Sequence, residues 1–204
     1  YKIFKKNWPN VDYEELIEVK NNLIDWEKNN ISISYEHYKS SKYKESLQHI
    51  DKIEKLNPIS KEALFLKALN NIALENFNAA EIPLNKILKI DSNNTAALLQ
   101  KGIICISKNN FEESINYFNQ IIDLDPLSID PYLFRSEAYL SQGIINKSID
   151  SMIETANIFP KSIENLERLC TVFNQQNNIK EAKDVAKLII AIDKDNIIAN
   201  KILT

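Results

Sequence analysis

Glycine is almost missing from this chain, with two in 204 residues. β-rich folds and loops that wrap phosphate both lean on glycine for tight turns and close backbone approach, so both lose ground. Gly102 and Gly143 alone cannot build a P-loop or a dinucleotide-binding turn. Cysteine is equally scarce. Cys105 and Cys170 lie far apart, lack metal-ligand spacing and read as two reduced core thiols. Long apolar runs are missing too: Ile103 to Ile106 and Leu188 to Ile192 fall far short of the roughly 20 residues that span a bilayer. Positive charge is not in excess. Lys and Arg number 25 against 28 Asp and Glu, for a net charge of -3, and no basic stripe stands out. Nucleic acid is therefore not an expected partner. The start does not look like a secretory leader. It opens at Tyr1 and reads as part of a longer protein, for which a reducing, cytoplasmic setting is the expectation.

What is present is a period. Asn57-Pro58, Asp91-Ser92, Asp125-Pro126, Phe159-Pro160 and Asp193-Lys194 recur every 34 residues. Segments starting at Glu27, Lys61, Thr95, Ile129 and Ile163 align without gaps. One small column reads Ser34, Ala68, Gly102, Ser136, Cys170, and a second reads Ser46, Ala80, Ser114, Ser148, Ala182. A bulky column three places before the second reads Tyr43, Phe77, Phe111, Ile145, Ile179. Another, just before the corner, reads Leu56, Ile90, Leu124, Ile158, Ile192. Two short helices approach closely only where a side chain is small, so the small columns mark helix contacts and the bulky ones fill the space around them. Proline past the second helix ends it, because it cannot continue the hydrogen-bond ladder. Each pair leaves an apolar face for the next pair to cover.

This 34-residue pattern resembles the tetratricopeptide repeat. The copy from Thr95 to Ser128 carries it best, with Leu98, Gly102, Phe111, Ser114, Phe118 and Pro126 in the family's places. The family's Trp is replaced by Leu64, Leu98, Tyr132 and Leu166, so the copies are divergent. The resemblance implies an all-α fold, a right-handed α-solenoid of antiparallel helix pairs. Five repeats are expected at 27–60, 61–94, 95–128, 129–162 and 163–196. Helix pairs are expected at 31–40 and 43–56, 61–75 and 77–90, 95–108 and 111–124, 129–142 and 145–158, and 163–176 and 179–192. Residues 1–26 are read as an N-terminal segment with a capping helix from Asp12 to about Lys28, started by Asp12 with Glu15 and by a staple of Val11 on Leu16. A partner-binding arm carrying Trp8 and Trp26 is the other reading of this segment. Residues 197–204 open a sixth repeat or a cap, whose apolar end would pack on a further unit or a second copy. Ile31-Ser32-Ile33-Ser34 alternates like a strand, but register keeps it helical. Pro83 falls inside a helix and should kink it or cost a hydrogen bond.

No catalytic constellation is visible. His37 and His49 have no cluster of metal-ligand spacing, and no serine has a nucleophile-elbow context. Neither cofactor nor metal is expected, and the chain is read as a non-enzyme. The three Asn-x-Ser/Thr sequences, at Asn30, Asn93 and Asn146, are expected by chance in an Asn-rich chain.

In the family, the first helices of successive units line a concave groove for an extended peptide or a helix. The resemblance places Glu62, Phe65, Leu69 and Ile72 in that groove, then Leu99, Ile103 and Ile106, then Asp130, Leu133, Glu137 and Leu140. The carboxylate clamp of the chaperone-binding members is absent, since Ile31, Tyr35, Leu66, Ala96 and Gln100 stand at its positions. An apolar stripe of this kind is either heavy helix packing or a groove for a protein segment. Burying two or three such side chains contributes roughly 1.5–3 kcal/mol each before ordering costs. The expected partner is thus a protein or peptide, bound by a scaffold, or by a structural or regulatory segment of a larger protein. Lys67, Lys101 and Arg135 form a further ladder at the same period. Their stems either cover the helix interface or present a basic row to an acidic partner.

Overall fold

The computed structural model describes residues 13–204. Among the described residues eleven α-helices follow one another, with no strand: α1 (Tyr13–Lys39), α2 (Tyr43–Leu56), α3 (Lys61–Ala73), α4 (Phe77–Ile90), α5 (Thr95–Ser107), α6 (Phe111–Leu124), α7 (Asp130–Ser141), α8 (Ile145–Ile158), α9 (Ile163–Gln175), α10 (Ile179–Ile192) and α11 (Ile197–Leu203). They form two compact units, the first ending at Ile90 and the second starting at Asp91. In the first unit α1 packs on α2 and α3, α2 on α3, and α3 on α4. In the second, consecutive helices from α5 to α11 pack in pairs, and α5 also touches α7 as α9 touches α11.

The turn inside each pair has one geometry. Ser41, Glu75, Asn109 and Asn177 all have φ between 58° and 60°, and Gly143 has φ 80°. These residues stand one period apart. Each follows a first helix and closes it with two bonds, as in Glu75 N–H to Ile72 O at 2.8 Å and Asn76 N–H to Asn71 O at 2.8 Å. That pairing is a Schellman cap, whose left-handed residue is normally glycine. A chain poor in glycine therefore makes four of these five turns with Ser, Glu and Asn.

Helix starts follow a column as well. Ser60, Asn94, Ser162 and Asn196 each accept from the backbone N–H three residues on, at 3.4, 3.0, 3.4 and 3.1 Å. These are N-caps, and each satisfies a donor that the first turn leaves unpaired. Ser128 occupies the same column but faces Pro131, which has no N–H to give. Helix α7 accordingly begins at Asp130, without a side-chain cap.

The small columns sit where close packing requires them. Ser34, Ala68, Ser136 and Cys170 are fully buried, as are Ser46, Ala80, Ser114, Ser148 and Ala182. They face each other within pairs: Ser46 Oγ donates to Ser34 O at 2.8 Å, Ser148 Oγ to Ser136 O at 2.8 Å, and the Cys170 thiol to Ala182 O at 3.2 Å. In the second unit Met152, Leu166, Leu169, Val172, Val185 and Ile189 close around Cys170 as one core. In the first, Trp26, Ile31, Tyr38 and Leu47 pack on Ile50, Ile53, Ala63 and Leu66.

Three expectations need revision. The capping helix and the first repeat's helix are one helix, because α1 runs unbroken from Tyr13 to Lys39 with no glycine or proline to stop it. Trp26 belongs to the first unit's core rather than to a free arm; Trp8, Val11 and Asp12 lie outside the described residues. The bulky column before each corner does not fill space: Leu56, Ile90, Leu124, Ile158 and Ile192 are 61, 50, 41, 38 and 41% exposed. Each is the last residue of its second helix. Ile31 to Ser34 is helical, and Pro83 lies buried inside α4 without ending it.

Candidate functional site

The first helices carry the columns read as a groove, and each unit presents its own part. On α3 of the first unit, Glu62 is exposed while Phe65, Leu69 and Ile72 are half-buried along one face. On α5 of the second unit, Leu99, Ile103 and Ile106 are half-buried in the same way. On α7, Asp130 is exposed, Leu133 is only 8% exposed, Glu137 is half-buried and Leu140 is 39% exposed.

A cleft opens in the second unit between α7 and α9. Its volume is about 570 Å³, and its lining joins Glu137, Leu140 and Ser141 of α7 to Glu164, Glu167, Arg168, Thr171, Val172 and Gln175 of α9. Met152 of α8 forms part of the floor and Ile198 of α11 part of one end. Glu137 and Leu140, both expected along the groove, line this cleft. Glu164, Glu167, Thr171 and Gln175 repeat the columns of Glu62, Phe65, Leu69 and Ala73 three periods later.

The polar geometry is specific. Arg168 Nη2 donates to Glu164 Oε1 at 2.9 Å, one helical turn away, and Nη1 reaches Glu137 Oε2 across the cleft at 3.5 Å. Glu167 Oε1 accepts from Asn196 Nδ2 at 2.6 Å. Around these polar groups sit Leu140, Met152, Val172 and Ile198. The arrangement offers apolar surface beside carboxylates, and no nucleophile paired with a base.

The cationic ladder lies elsewhere. Lys67 Nζ pairs with Asp51 at 3.1 Å and with Glu54, both on α2. Lys101 is 8% exposed with its Nζ 5.7 Å from the Tyr117 ring centroid. Arg135 donates from Nε to Ser151 Oγ at 3.1 Å and from Nη1 to Asn119 Oδ1 at 3.0 Å, pairs with Glu154, and lies over the Tyr132 ring. All three heads point at second helices, so they tie the pairs together and present no basic row.

His37 and His49 stack with centroids 5.6 Å apart, and His49 Nδ1 lies 3.0 Å from Asn30 Oδ1. Burial, then the charges of Lys52 and His37, hold His49 below its ordinary 6.5. Cys105 and Cys170 are free and buried, and burial pushes the Cys170 thiol up. Of the three Asn-x-Ser/Thr sites, Asn30 is buried and Asn93 and Asn146 are exposed. Among the described residues no three His, Cys, Asp or Glu side chains gather to hold a metal, and no helix is long and apolar enough to cross a membrane.

Residues 95–126, the copy with the fullest pattern, match the tetratricopeptide repeat family. The helix pairs on either side of that copy share its period and its fold. Solved structures share the fold. A MamA fragment from Desulfovibrio magneticus RS-1 is 17% identical, with a TM-score of 0.72 over 85% of this chain and 98% of that one. PilF of Pseudomonas aeruginosa is 12% identical, with a TM-score of 0.72 over 89% of this chain and 82% of its own. YrrB, described as a tetratricopeptide-repeat protein with an unusual peptide-binding site, is 13% identical with a TM-score of 0.63, covering 84% of this chain and 89% of that one. No curated protein matches the sequence. The cleft thus lies between the first helices of two successive helix pairs that follow the matched copy.

Proposed function

We propose that this chain is a protein-interaction scaffold without catalytic activity, holding a segment of another protein as an extended peptide or a helix along its first helices. The observation that carries the reading is the cleft of about 570 Å³ between α7 and α9, with exposed aliphatic surface at Leu140 and a polar rim. A shallow, mostly apolar concavity with a few placed polar groups suits side chains of an incoming chain. The half-buried stripes at Phe65, Leu69 and Ile72 on α3, and at Leu99, Ile103 and Ile106 on α5, offer the same kind of surface. YrrB, similar in fold, is described as having a peptide-binding site.

Capture from the source cell with Leu140→Asp and Thr171→Arg as controls tests it. Both changes put charge or bulk into the cleft at residues that are not fully buried. The same proteins should be captured by the original chain and lost with both variants, at unchanged helicity and melting temperature. Capture that ignores both variants would place the binding surface elsewhere.

A further inference from the structure

The charge balance of the cleft narrows what it takes. Glu137, Glu164 and Glu167 face a single guanidinium, Arg168, so the lining carries a formal charge of -2. Arg168 is already shared, at 2.9 Å with Glu164 and at 3.5 Å with Glu137. Glu167 is met only by a neutral amide, that of Asn196. The Glu137 and Glu164 side chains stay 43 and 61% exposed, so one cation does not quench them. An incoming carboxylate or phosphate would meet three like charges for one occupied partner. An incoming ammonium or guanidinium would meet the surplus. Beside these carboxylates lies aliphatic surface from Leu140, Val172 and Ile198, with Met152 beneath.

We propose that the cleft between α7 and α9 receives a cationic peptide segment, with a Lys or Arg side chain among Glu137, Glu164 and Glu167 and a neighbouring aliphatic side chain against Leu140 and Ile198. This rests on the scaffold reading above and adds the chemistry of the partner. Charge sets the specificity and contributes part of the affinity, with the aliphatic contact contributing the rest, so binding weakens as salt rises and the Debye length falls to about 3 Å at 1 M.

The test uses the full chain and an immobilised library of random ten-residue peptides. Binders should be enriched in Lys and Arg next to Leu, Ile or Val and depleted in Asp and Glu. Glu137→Gln with Glu167→Gln should lower affinity for the best binder about 4–25-fold, taking roughly two- to five-fold per exposed carboxylate. Glu112→Gln with Glu113→Gln changes net charge equally on exposed sites of α6 and should leave affinity unchanged. Glu164→Lys, at a side chain 61% exposed, serves as a second variant if the double one is less stable, and should weaken binding further. Binders without basic enrichment that Leu140→Asp abolishes would overturn the cationic assignment and leave the scaffold reading standing. Basic enrichment that both cleft variants leave untouched would also overturn the assignment. Binders that ignore Leu140→Asp would overturn both.

Discussion

Phe118 lies directly against the backbone of Gly102: a Cβ built on that glycine would sit 2.4 Å from Phe118 Cε1 and 2.7 Å from Cζ. Phe118 is fully buried and stacked on Phe134 at 5.8 Å, so its ring has nowhere to retreat. Gly102→Ala gains up to about 1 kcal/mol of helix propensity but overpacks the pair, at about 1–3 kcal/mol. A net loss of about 1–2 kcal/mol is expected in urea unfolding. Adding Phe118→Leu should recover part of it, because the smaller side chain leaves room for the methyl.

The left-handed turn residues make an opposite prediction. At Glu75, φ is 58°, which costs a side-chain-bearing residue about 1–2 kcal/mol. Glu75→Gly removes that strain and gives back roughly 0.5–1 kcal/mol in backbone entropy. Melting should rise, by about 0.5–1 kcal/mol of stability. Asn109→Gly should gain less, since asparagine tolerates this conformation, and Gly143→Ala should lose stability.

Acid should loosen the first pair of helices. The folded state holds His49 below its ordinary 6.5, so the unfolded chain takes up its proton first. Stability from this group is present above 6.5 and is lost as pH falls below that value toward the folded one. Unfolding midpoints measured at pH 8 and pH 5 should differ less in His49→Gln than in the original chain. An equal difference would show that His49 contributes nothing to the acid response.

The all-helical fold was largely legible because successive helix pairs repeat the same steric solution. Small residues at the crossing points, caps at Ser60, Asn94, Ser162 and Asn196, and polar corners all recur at one spacing. The sequence misled where one residue breaks the local rule. Pro131 cannot answer the cap at Ser128, so α7 starts late, and nothing interrupts α1 where a boundary was expected. The turns hid their left-handed residues because Ser, Glu and Asn stand where glycine would have announced them. In the cleft, the places of Glu137 and Leu140 on a first helix were readable from their columns, and carrying the columns of Asp130, Leu133, Glu137 and Ser141 one period further gives Glu164, Glu167, Thr171 and Gln175. Met152 and Ile198 were not readable, because their place in the cleft depends on how deeply α8 and α11 pack. The partners of Lys67 and Arg135 were hidden for a similar reason: they sit on facing second helices, 13 to 19 residues away, and depend on how the helices pack.

The most direct measurement places a photoreactive side chain at position 140 in the cleft and, separately, at position 153, where Ile153 is 41% exposed on α8 outside the cleft lining. Irradiation in the source cell should give a discrete protein adduct from position 140 and none from position 153. Adducts of equal yield from both positions, or from 153 alone, would contradict binding along the first helices.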